Sequence, residues 1–183
     1  MNQEFEVTKT KFGGLYQIQF KLIEDTRGSV MEFYRQSDFD KAGLPTLNDR
    51  PQVNAPLSIK GALRGIHAEA AHKLVSVVSG KVYAVIVDLR KDSDTAGQWE
   101  SFELQRGQGL FVSNGLGNSF QSISEDPSVY LYYFEQEWTP DMPGLSCNPL
   151  DSDLAINWPI AEHEGMIISE KDRNSSSLKE ILN

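Results

Sequence analysis

The middle of the chain alternates apolar and polar positions with the two-residue period of a β-strand. Residues 74–78 and 82–87 are rich in β-branched and aromatic side chains, and a turn that contains Gly80 separates them. Such a pattern predicts two strands. An Arg-Gly-Ile-His segment that ends at His67 precedes the first strand, so the sequence places an imidazole beside a rigid sheet.

Similar short segments lie on both sides of this region. The further predicted strands or extended segments are residues 14–22, 29–34, 51–57, 99–104 and 129–134. Alternation in the last of these places Tyr130 and Tyr132 on one face and Tyr133 on the other. Two short helices are predicted, one at residues 37–42 with Ser37 as the N-cap and one at residues 175–182.

The order of these elements predicts the fold class. Many short strands are separated by Gly- and Pro-containing turns, and they do not alternate with long helices. This arrangement is typical of an all-β antiparallel sandwich or barrel, and we expect a jelly roll with short peripheral helices. The length suits a single domain over residues 1–183, with a short helical tail from about residue 173.

Composition narrows the classes of function. The formal net charge of −9 argues against a general nucleic-acid binder, because such proteins neutralise phosphates with clustered Lys and Arg. A few focused cations still allow an anionic small ligand. The single cysteine, Cys147, cannot form an intrachain disulfide. No apolar run approaches the ~20 residues that cross a bilayer, and the polar N-terminus is unlike a secretory signal, so we expect a cytoplasmic protein without membrane contact.

Several common chemical motifs do not occur. The sequence contains no GxGxxG, Walker, GxSxG or CxxC motif, which removes support for nucleotide-cofactor, hydrolase and zinc chemistry. Its three histidines are His67, His72 and His163. The offset of five between the first two would send them to opposite faces of a strand, so we expect no metal and no cofactor.

His67, Lys73 and Tyr132 supply a base, a cation and a phenol. Removing a proton from a carbon next to a ketone requires a base of near-neutral pKa, a donor for the developing enolate oxygen, and an acid that returns the proton. These three side chains meet those demands without a cofactor. The spacing leaves open the plain alternative that His67 and Tyr132 are structural residues.

Short motifs in a fixed order run through most of the chain. They are Asp25-Thr26-Arg27-Gly28 with Glu32, Gln52-Val53-Asn54, Leu63-Arg64-Gly65-Ile66-His67, Lys73-Leu74-Val75, Val87-Asp88-Leu89-Arg90, Tyr130-Leu131-Tyr132, Trp158-Pro159 and Ser169-Glu170-Lys171-Asp172. This set resembles the dTDP-4-dehydrorhamnose 3,5-epimerase family, and most closely a branch known from Gram-positive bacteria. The resemblance implies a cupin-type double-stranded β-helix and an isomerase that needs no cofactor.

The resemblance also implies a role for each reactive residue. His67 matches the catalytic base, and Asp172 matches the carboxylate that orients it and fixes its tautomer. Lys73 matches the residue that stabilises the enolate oxygen. Tyr132 matches the acid on the opposite face of the sugar, and return of the proton from that side inverts the stereocentre.

A nucleotide-sugar substrate and a homodimer with exchanged strands follow from the same resemblance. Arg64 and Lys171 would contact the diphosphate, and Arg27 would reach it from the partner subunit. The two arginines suit this role because one guanidinium group can bind two phosphate oxygens at once. The other residues expected near the substrate are Glu32, Gln52, Asn54, Asn118 and, beside the thymine, Trp138. Simpler roles stay open, since the arginines could form surface ion pairs, Tyr132 and Trp138 could be packing residues, and Lys171-Asp172 could be an exposed pair in the tail.

One loop departs from the family pattern. Many members carry a histidine before a Gly-Phe pair, whereas this chain has Asn118-Ser119-Phe120. Asn118 can donate and accept hydrogen bonds but cannot shuttle a proton at neutral pH. The Gram-positive branch also has Asn there, so we expect catalysis to survive.

Three functions are compatible with these residues. The first is inversion of C3 and C5 of dTDP-4-dehydro-6-deoxy-D-glucose, which gives dTDP-4-dehydro-L-rhamnose. The second is inversion of only one carbon of a related nucleotide 4-keto sugar. The third is sugar-nucleotide binding by a cupin without catalysis, and the joint presence of His67, Lys73, Tyr132 and Asp172 counts against it.

Overall fold

Two β-sheets packed face to face form the body of the protein. The computed structural model describes residues 3–46 and 50–183. Its strands are β1 (Glu6–Lys9), β2 (Leu15–Gln19), β3 (Lys21–Asp25), β4 (Gly28–Glu32), β5 (Gln52–Asn54), β6 (Leu57–Ser58), β7 (Ala62–Glu69), β8 (Lys73–Ser79), β9 (Lys81–Asp88), β10 (Trp99–Gln105), β11 (Gln108–Val112), β12 (Leu116–Ser122), β13 (Ser128–Phe134), β14 (Gly144–Ser146) and β15 (Ile167–Ile168).

The helices are few and short. They are α1 (Gln36–Ala42), α2 (Glu170–Arg173) and α3 (Leu178–Leu182), with a single 3-10 turn at Glu162–Glu164 among the described residues. None of these helices is long and apolar enough to cross a membrane.

The strand order confirms the predicted all-β double-stranded β-helix. The larger sheet has seven strands in the order β1-β2-β11-β8-β13-β5, with β6 also paired to β13. The smaller sheet has six strands in the order β10-β9-β12-β7-β14, with β15 parallel to β7. β3 and β4 form a separate two-stranded hairpin.

The turn at Gly80 carries the chain from one sheet to the other. The two strands predicted on either side of it are confirmed, but they do not pair with each other: β8 pairs with β11 and β13, and β9 pairs with β10 and β12. Gly80 has a φ of +77°, and a Cβ at this position would lie 2.6 Å from Oγ of Ser128. Only glycine fits this tight crossing between the walls.

Apolar side chains from both sheets fill the space between them. This core includes Val75, Val77, Val82, Ala84, Ile86, Leu110, Val112, Phe120 and Tyr130. Tyr132 packs against the same cluster, whereas Tyr133 packs on the outer side with Phe39 and Phe111. The predicted facing of the three tyrosines is therefore confirmed, and Tyr132 lies toward the interior of the sandwich.

The predicted strand over residues 14–22 is in fact two strands. β2 stays in the larger sheet, while β3 leaves it to form the hairpin with β4. The break falls at Phe20, whose fully buried side chain packs under the hairpin and whose amide donates to the carbonyl of Gly107. Phe20 is thus the residue at which the chain leaves the larger sheet.

Both predicted helices begin elsewhere than expected. α1 begins at Gln36, after Arg35, so Ser37 is not its N-cap. Ion pairs of Arg35 with Glu32 and Asp38 accompany this earlier start. The C-terminal helix begins only at Leu178, because Ser176 forms a β-bridge to Cys147 and holds the preceding segment extended.

Candidate active site

A cavity of about 890 Å³ opens between the two sheets. The smaller sheet contributes residues of β7 and β12, the larger sheet contributes residues of β5, β8 and β13, and α2 closes one side. The predicted site residues that line it are Gln52, Asn54, Arg64, His67, Lys73, Asn118, Tyr132, Trp138 and Asp172. The fold thus brings all the predicted catalytic residues into one cavity.

His67 and Asp172 form a hydrogen-bonded pair. Nε2 of His67 lies 2.7 Å from Oδ1 of Asp172, whose side chain is only 8% exposed. With Nε2 protonated and donating to this carboxylate, Nδ1 carries the free lone pair. The pair has the composition and geometry of a general base with its orienting carboxylate.

The start of α2 holds Asp172 in place. Ser169 is the N-cap of this helix, and its Oγ accepts a hydrogen bond from the Asp172 amide at 3.1 Å. Burial acts to raise the pKa of the Asp172 carboxyl, but hydrogen bonds and the charge of His67 outweigh it and leave the pKa below its ordinary value. Asp172 is therefore ionised at neutral pH.

Gly65 lets β7 approach β12 closely beside His67. Its φ is +106°, and a Cβ would lie 2.6 Å from the main-chain oxygen of Asn118. The register between the two strands shifts at this point, between Asn118 and Phe120. The Arg-Gly-Ile-His segment therefore requires glycine for its backbone conformation as well as for space.

Lys73 begins β8 on the wall opposite His67, and its side chain is 2% exposed. Its Nζ donates to the main-chain oxygen of His67 at 3.1 Å and to the carboxylate of Glu69, and it lies 5.6 Å from the centre of the Phe134 ring. Burial lowers the pKa of the Lys73 ammonium, and the charge and hydrogen bond of Glu69 oppose that change. A buried cation of this kind suits a developing oxyanion.

Tyr132 faces the cavity from β13, in the sheet opposite β7. Its ring packs edge-on against Tyr130, with a centroid separation of 5.1 Å, and stacks on Phe134 at 6.0 Å. Burial raises the pKa of the Tyr132 phenol far above its ordinary value, although the charge of Arg64 acts in the other direction. Tyr132 therefore holds its proton at neutral pH and can serve as an acid.

Asn118 and Ser119, where the sequence departs from the pattern of the family it resembles, both form side-chain hydrogen bonds. The buried amide of Asn118 lies beside His67 on the neighbouring strand, and its Oδ1 accepts from the Tyr130 hydroxyl at 3.2 Å. Oγ of Ser119 donates to the carbonyl of Arg64 at 2.7 Å. The added hydroxyl is thus used to join β12 to β7 next to Gly65.

Polar residues at the mouth of the cavity are linked to one another. Gln52 donates through Nε2 to Oδ1 of Asn54 at 3.2 Å, and its Oε1 accepts from the Trp138 amide at 2.9 Å. Arg64 is exposed and donates through Nε to Ser58 at 3.0 Å. In the described part of the chain no carboxylate forms an ion pair with Arg64, so its terminal nitrogens can bind an anion.

Three predicted substrate-binding residues lie outside the lining of this cavity. Arg27 is at the tip of the β3–β4 hairpin, where its 87% exposed side chain pairs with Asp25. Glu32 ends β4 and pairs with Arg35. Lys171 is exposed on α2.

The sequence interpretation missed Glu69. This residue follows His67 by two positions on β7, lines the cavity, and forms the ion pair with Lys73. Strand alternation from His67 would have placed both side chains on the same face. The partner of Glu69 could not have been found this way, because Lys73 belongs to the other sheet.

His72 lies in the segment between β7 and β8, outside the lining of the cavity, so strand alternation from His67 does not reach it. Its ring packs near Phe111, and Nδ1 accepts from the Asn114 amide at 3.3 Å. Within residues 3–46 and 50–183, no three His, Cys, Asp or Glu side chains come together in a group that could hold a metal ion.

Comparison with known protein families identifies relatives over nearly the whole chain. Residues 9–180 match the model of the dTDP-4-dehydrorhamnose 3,5-epimerase family. A dTDP-4-dehydrorhamnose 3,5-epimerase of Methanothermobacter thermautotrophicus is 34% identical, over 97% of this chain and 96% of the relative. A dTDP-4-dehydro-6-deoxyglucose 3-epimerase of a Streptomyces species is 35% identical, over 84% of this chain and 79% of the relative.

Solved structures show the same fold. The dTDP-6-deoxy-D-glucose-3,5-epimerase of Legionella pneumophila, in complex with dTDP-4-keto-L-rhamnose, superposes with a TM-score of 0.86 at 29% identity. The superposition covers 96% of this chain and 94% of that protein.

Proposed function

The chain belongs to the dTDP-4-dehydrorhamnose 3,5-epimerase family, and from this premise we propose that it inverts C3 and C5 of dTDP-4-dehydro-6-deoxy-D-glucose to give dTDP-4-dehydro-L-rhamnose. The protein is an isomerase. In the proposed substrate, the C4 ketone makes the hydrogens on the two neighbouring carbons, C3 and C5, more acidic. The observation that carries the proposal is the placement of the His67–Asp172 pair and Tyr132 on opposite walls of one cavity.

The first step of the proposed reaction is proton abstraction. Nδ1 of His67 takes the proton from C3 or C5. The electron pair of the broken C–H bond forms a double bond to C4, and the π electrons of the C4 carbonyl move to its oxygen. Asp172 stabilises the imidazolium that forms. The Lys73 ammonium donates to the enolate oxygen, where the negative charge develops.

The second step returns a proton to the other face. Tyr132 donates its phenolic proton to the same carbon, so the configuration inverts and the C4 ketone is restored. The tyrosinate and the imidazolium then exchange protons with solvent, which returns both residues to their starting states. The same sequence repeated at the second carbon completes a double inversion.

Arg64 is proposed to bind the diphosphate, because it is exposed at the cavity and available for bidentate contact. Gln52, Asn54 and Trp138 are proposed to contact the nucleoside, and Asn118 the sugar. Lys171, on the surface of α2 next to Asp172, is proposed as a second diphosphate ligand.

A homodimer is proposed as the active form. The β3–β4 hairpin is outside both main sheets, and it exposes Ile23 and Val30. Val53, Leu57 and Ile59 form further exposed apolar positions near the cavity. A partner covering these residues would bring Arg27 and Glu32 of one hairpin toward the other subunit's substrate. The single-domain organisation over residues 1–183 and the cytoplasmic location stay predictions.

Solvent exchange tests the function directly. Purified protein is mixed with dTDP-4-dehydro-6-deoxy-D-glucose in deuterated water, and the C3 and C5 proton signals are followed by NMR. We expect both signals to disappear as the product forms. Persistence of both signals with bound substrate would contradict the proposed function.

A single-carbon epimerase is the second candidate, because a 35% identical relative carries that activity in its name. Loss of only one ring signal in the same experiment would establish it. A binding role without catalysis, the third candidate, requires that neither carbon exchange.

A further inference from the structure

The buried Lys73 ammonium uses two of its three N–H donors within the protein. One donates to the main-chain oxygen of His67 and another to the Glu69 carboxylate. An ammonium group has three donors and no acceptor. One N–H of Lys73 is therefore left for a group in the cavity, which Lys73 helps to line.

The ion pair between Glu69 and Lys73 joins the two walls of the cavity. Glu69 is the last residue of β7 in the six-stranded sheet, and Lys73 is the first residue of β8 in the seven-stranded sheet. The Glu69 side chain is 19% exposed, and it points to the cavity side of β7 together with His67. The direction of the remaining Lys73 donor thus depends on where Glu69 holds the ammonium.

We propose that Glu69 is a positioning residue of the reaction, which keeps Lys73 protonated and aims its third N–H at the oxygen on C4 of the substrate. This inference rests on the proposed function, in which Lys73 stabilises the enolate. Glu69 acts through Lys73 and takes no part in proton transfer.

The other charged groups near Lys73 do not replace Glu69. The other ionisable groups that line the same cavity are Arg64 and His67 on β7, Tyr132 on β13, and Asp172 on α2, and Glu135 follows β13 directly. Glu135 accepts from the His72 amide, and Asp172 is paired with His67. β11 and β12 carry no ionisable side chain. Among the described residues, Glu69 is the carboxylate in ion-pair contact with Lys73.

Without the negative charge of Glu69, the lowering of the Lys73 pKa by burial would not be opposed. Burial lowers the pKa of this ammonium, and Glu69 is the charge that raises it again. A neutral amine is a much weaker donor to an enolate. Removing the carboxylate should therefore shift the loss of activity at alkaline pH to a lower pH.

The test compares Glu69→Gln with Glu103→Gln. Glu103 also pairs with a lysine, Lys81, but it is exposed and outside the cavity. The Cε resonance of Lys73 is followed by carbon-13 NMR against pH in lysine-labelled protein, and Lys73→Met assigns it. We expect E69Q to lower the pKa of Lys73 by about one unit or more, because an opposite charge in contact has effects of this size. E103Q should leave it unchanged.

The pH profile of kcat/KM gives the kinetic part of the test. In E69Q its alkaline limb should move to lower pH by the shift measured for Lys73, while a purely structural defect would lower activity equally at all pH values. An unchanged Lys73 pKa would overturn the inference, and so would a shifted pKa with an unmoved alkaline limb. If the wild type shows no turnover, the proposed function fails separately, and the NMR titration alone decides whether Glu69 keeps Lys73 charged.

A reciprocal measurement covers the case that E69Q does not fold. In Lys73→Met the Cδ resonance of Glu69 should report a raised pKa, because the partner charge is gone. A Glu69 pKa that does not change in this variant would show that the two charges are not coupled, and the proposal would be wrong.

Discussion

Nε2 of His67 lies 2.7 Å from Oδ1 of Asp172, although 105 positions separate the two residues. The link between them is β15, which pairs in parallel with the start of β7 and delivers α2 to the cavity immediately afterwards. A two-residue strand and a four-residue helix thus complete the base. This relationship makes His67 the residue whose loss should affect the reaction most directly.

Replacing His67 with alanine should nearly abolish exchange at both sugar carbons. The expected loss is about 10²- to 10⁴-fold, the usual contribution of one general base. The measurement is the initial rate of deuterium incorporation. His163→Ala is the control, because His163 is 82% exposed and outside the cavity lining. A variant of His67 with near-normal exchange would assign the base to another residue.

Replacing Tyr132 with phenylalanine should impair inversion more than exchange. His67 can still remove a proton and return solvent deuterium from its own side, but the phenol that returns a proton from the opposite face is lost. The ratio of exchanged to inverted substrate is measured by NMR. Tyr133→Phe on the other face of the same strand is the matched control. Equal loss of exchange and inversion would contradict the role of Tyr132 as the returning acid.

Replacing Gly65 with alanine should destabilise the protein and reduce catalysis together. The positive φ and the contact at 2.6 Å with the Asn118 oxygen force β7 away from β12 next to His67. Strain of this type costs about 1–3 kcal/mol. Urea unfolding and exchange rates measure the two effects. Gly13→Ala, where a Cβ meets nothing within 4 Å, should change neither.

The sequence predicted the strands of this site and the facing of their side chains better than it predicted which strands and residues are partners. Alternation placed Tyr130 and Tyr132 correctly, because a strand period of two holds wherever one face is buried. It could not show that β8 and β9 lie in different sheets, since local pattern carries no information on pairing partners. For the same reason Asp172 was assigned through the family resemblance alone, and Glu69 was missed.

The segment after residue 138 could not be predicted from local sequence pattern either. It contains β14, β15 and α2, which are too short to have a clear period. These elements are fixed by tertiary contacts, such as the pairing of β14 and β15 with β7. Local sequence therefore could not predict the part of the chain that carries Asp172.

Asp88 should stabilise the fold in a pH-dependent way. It is fully buried, and it accepts hydrogen bonds from Arg90, Ser93 and Thr95. Burial acts to raise its pKa, but these donors hold the pKa far below the ordinary value. The pKa of this carboxyl is lower in the folded than in the unfolded protein, where it is about 3.9. Its ionised form therefore stabilises the fold fully above about pH 3.9, and the stabilisation is lost as the pH falls toward the pKa of the folded state.

Asp88→Asn should therefore destabilise by about 3 kcal/mol at pH 7, the size expected when one partner of a buried ion pair is removed. The difference from wild type should shrink at pH 3. Urea unfolding at both pH values measures it, and Asp92→Asn on the exposed turn is the control. A difference that is the same at both pH values would show that the Asp88 charge is not responsible.

In the proposed homodimer, Arg27 should act on the substrate of the partner subunit. It lies at the tip of a hairpin that is paired to neither main sheet, and outside the cavity of its own chain. Arg27→Ala should raise KM about tenfold or more, since a hydrogen bond to a charged group is lost. A hybrid dimer tests the direction of this contact, with one subunit carrying R27A and the other H67A, each with its own affinity tag.

If Arg27 acts across the interface, one site of this hybrid combines an intact His67 with the partner's intact Arg27. The hybrid should then show about half of the wild-type activity, although both parent dimers are defective. A hybrid of wild type with the R27A/H67A double variant has no such site, so its activity should be lower than that of the first hybrid. If Arg27 served its own chain, the second hybrid would instead be the active one, because its wild-type subunit would be complete.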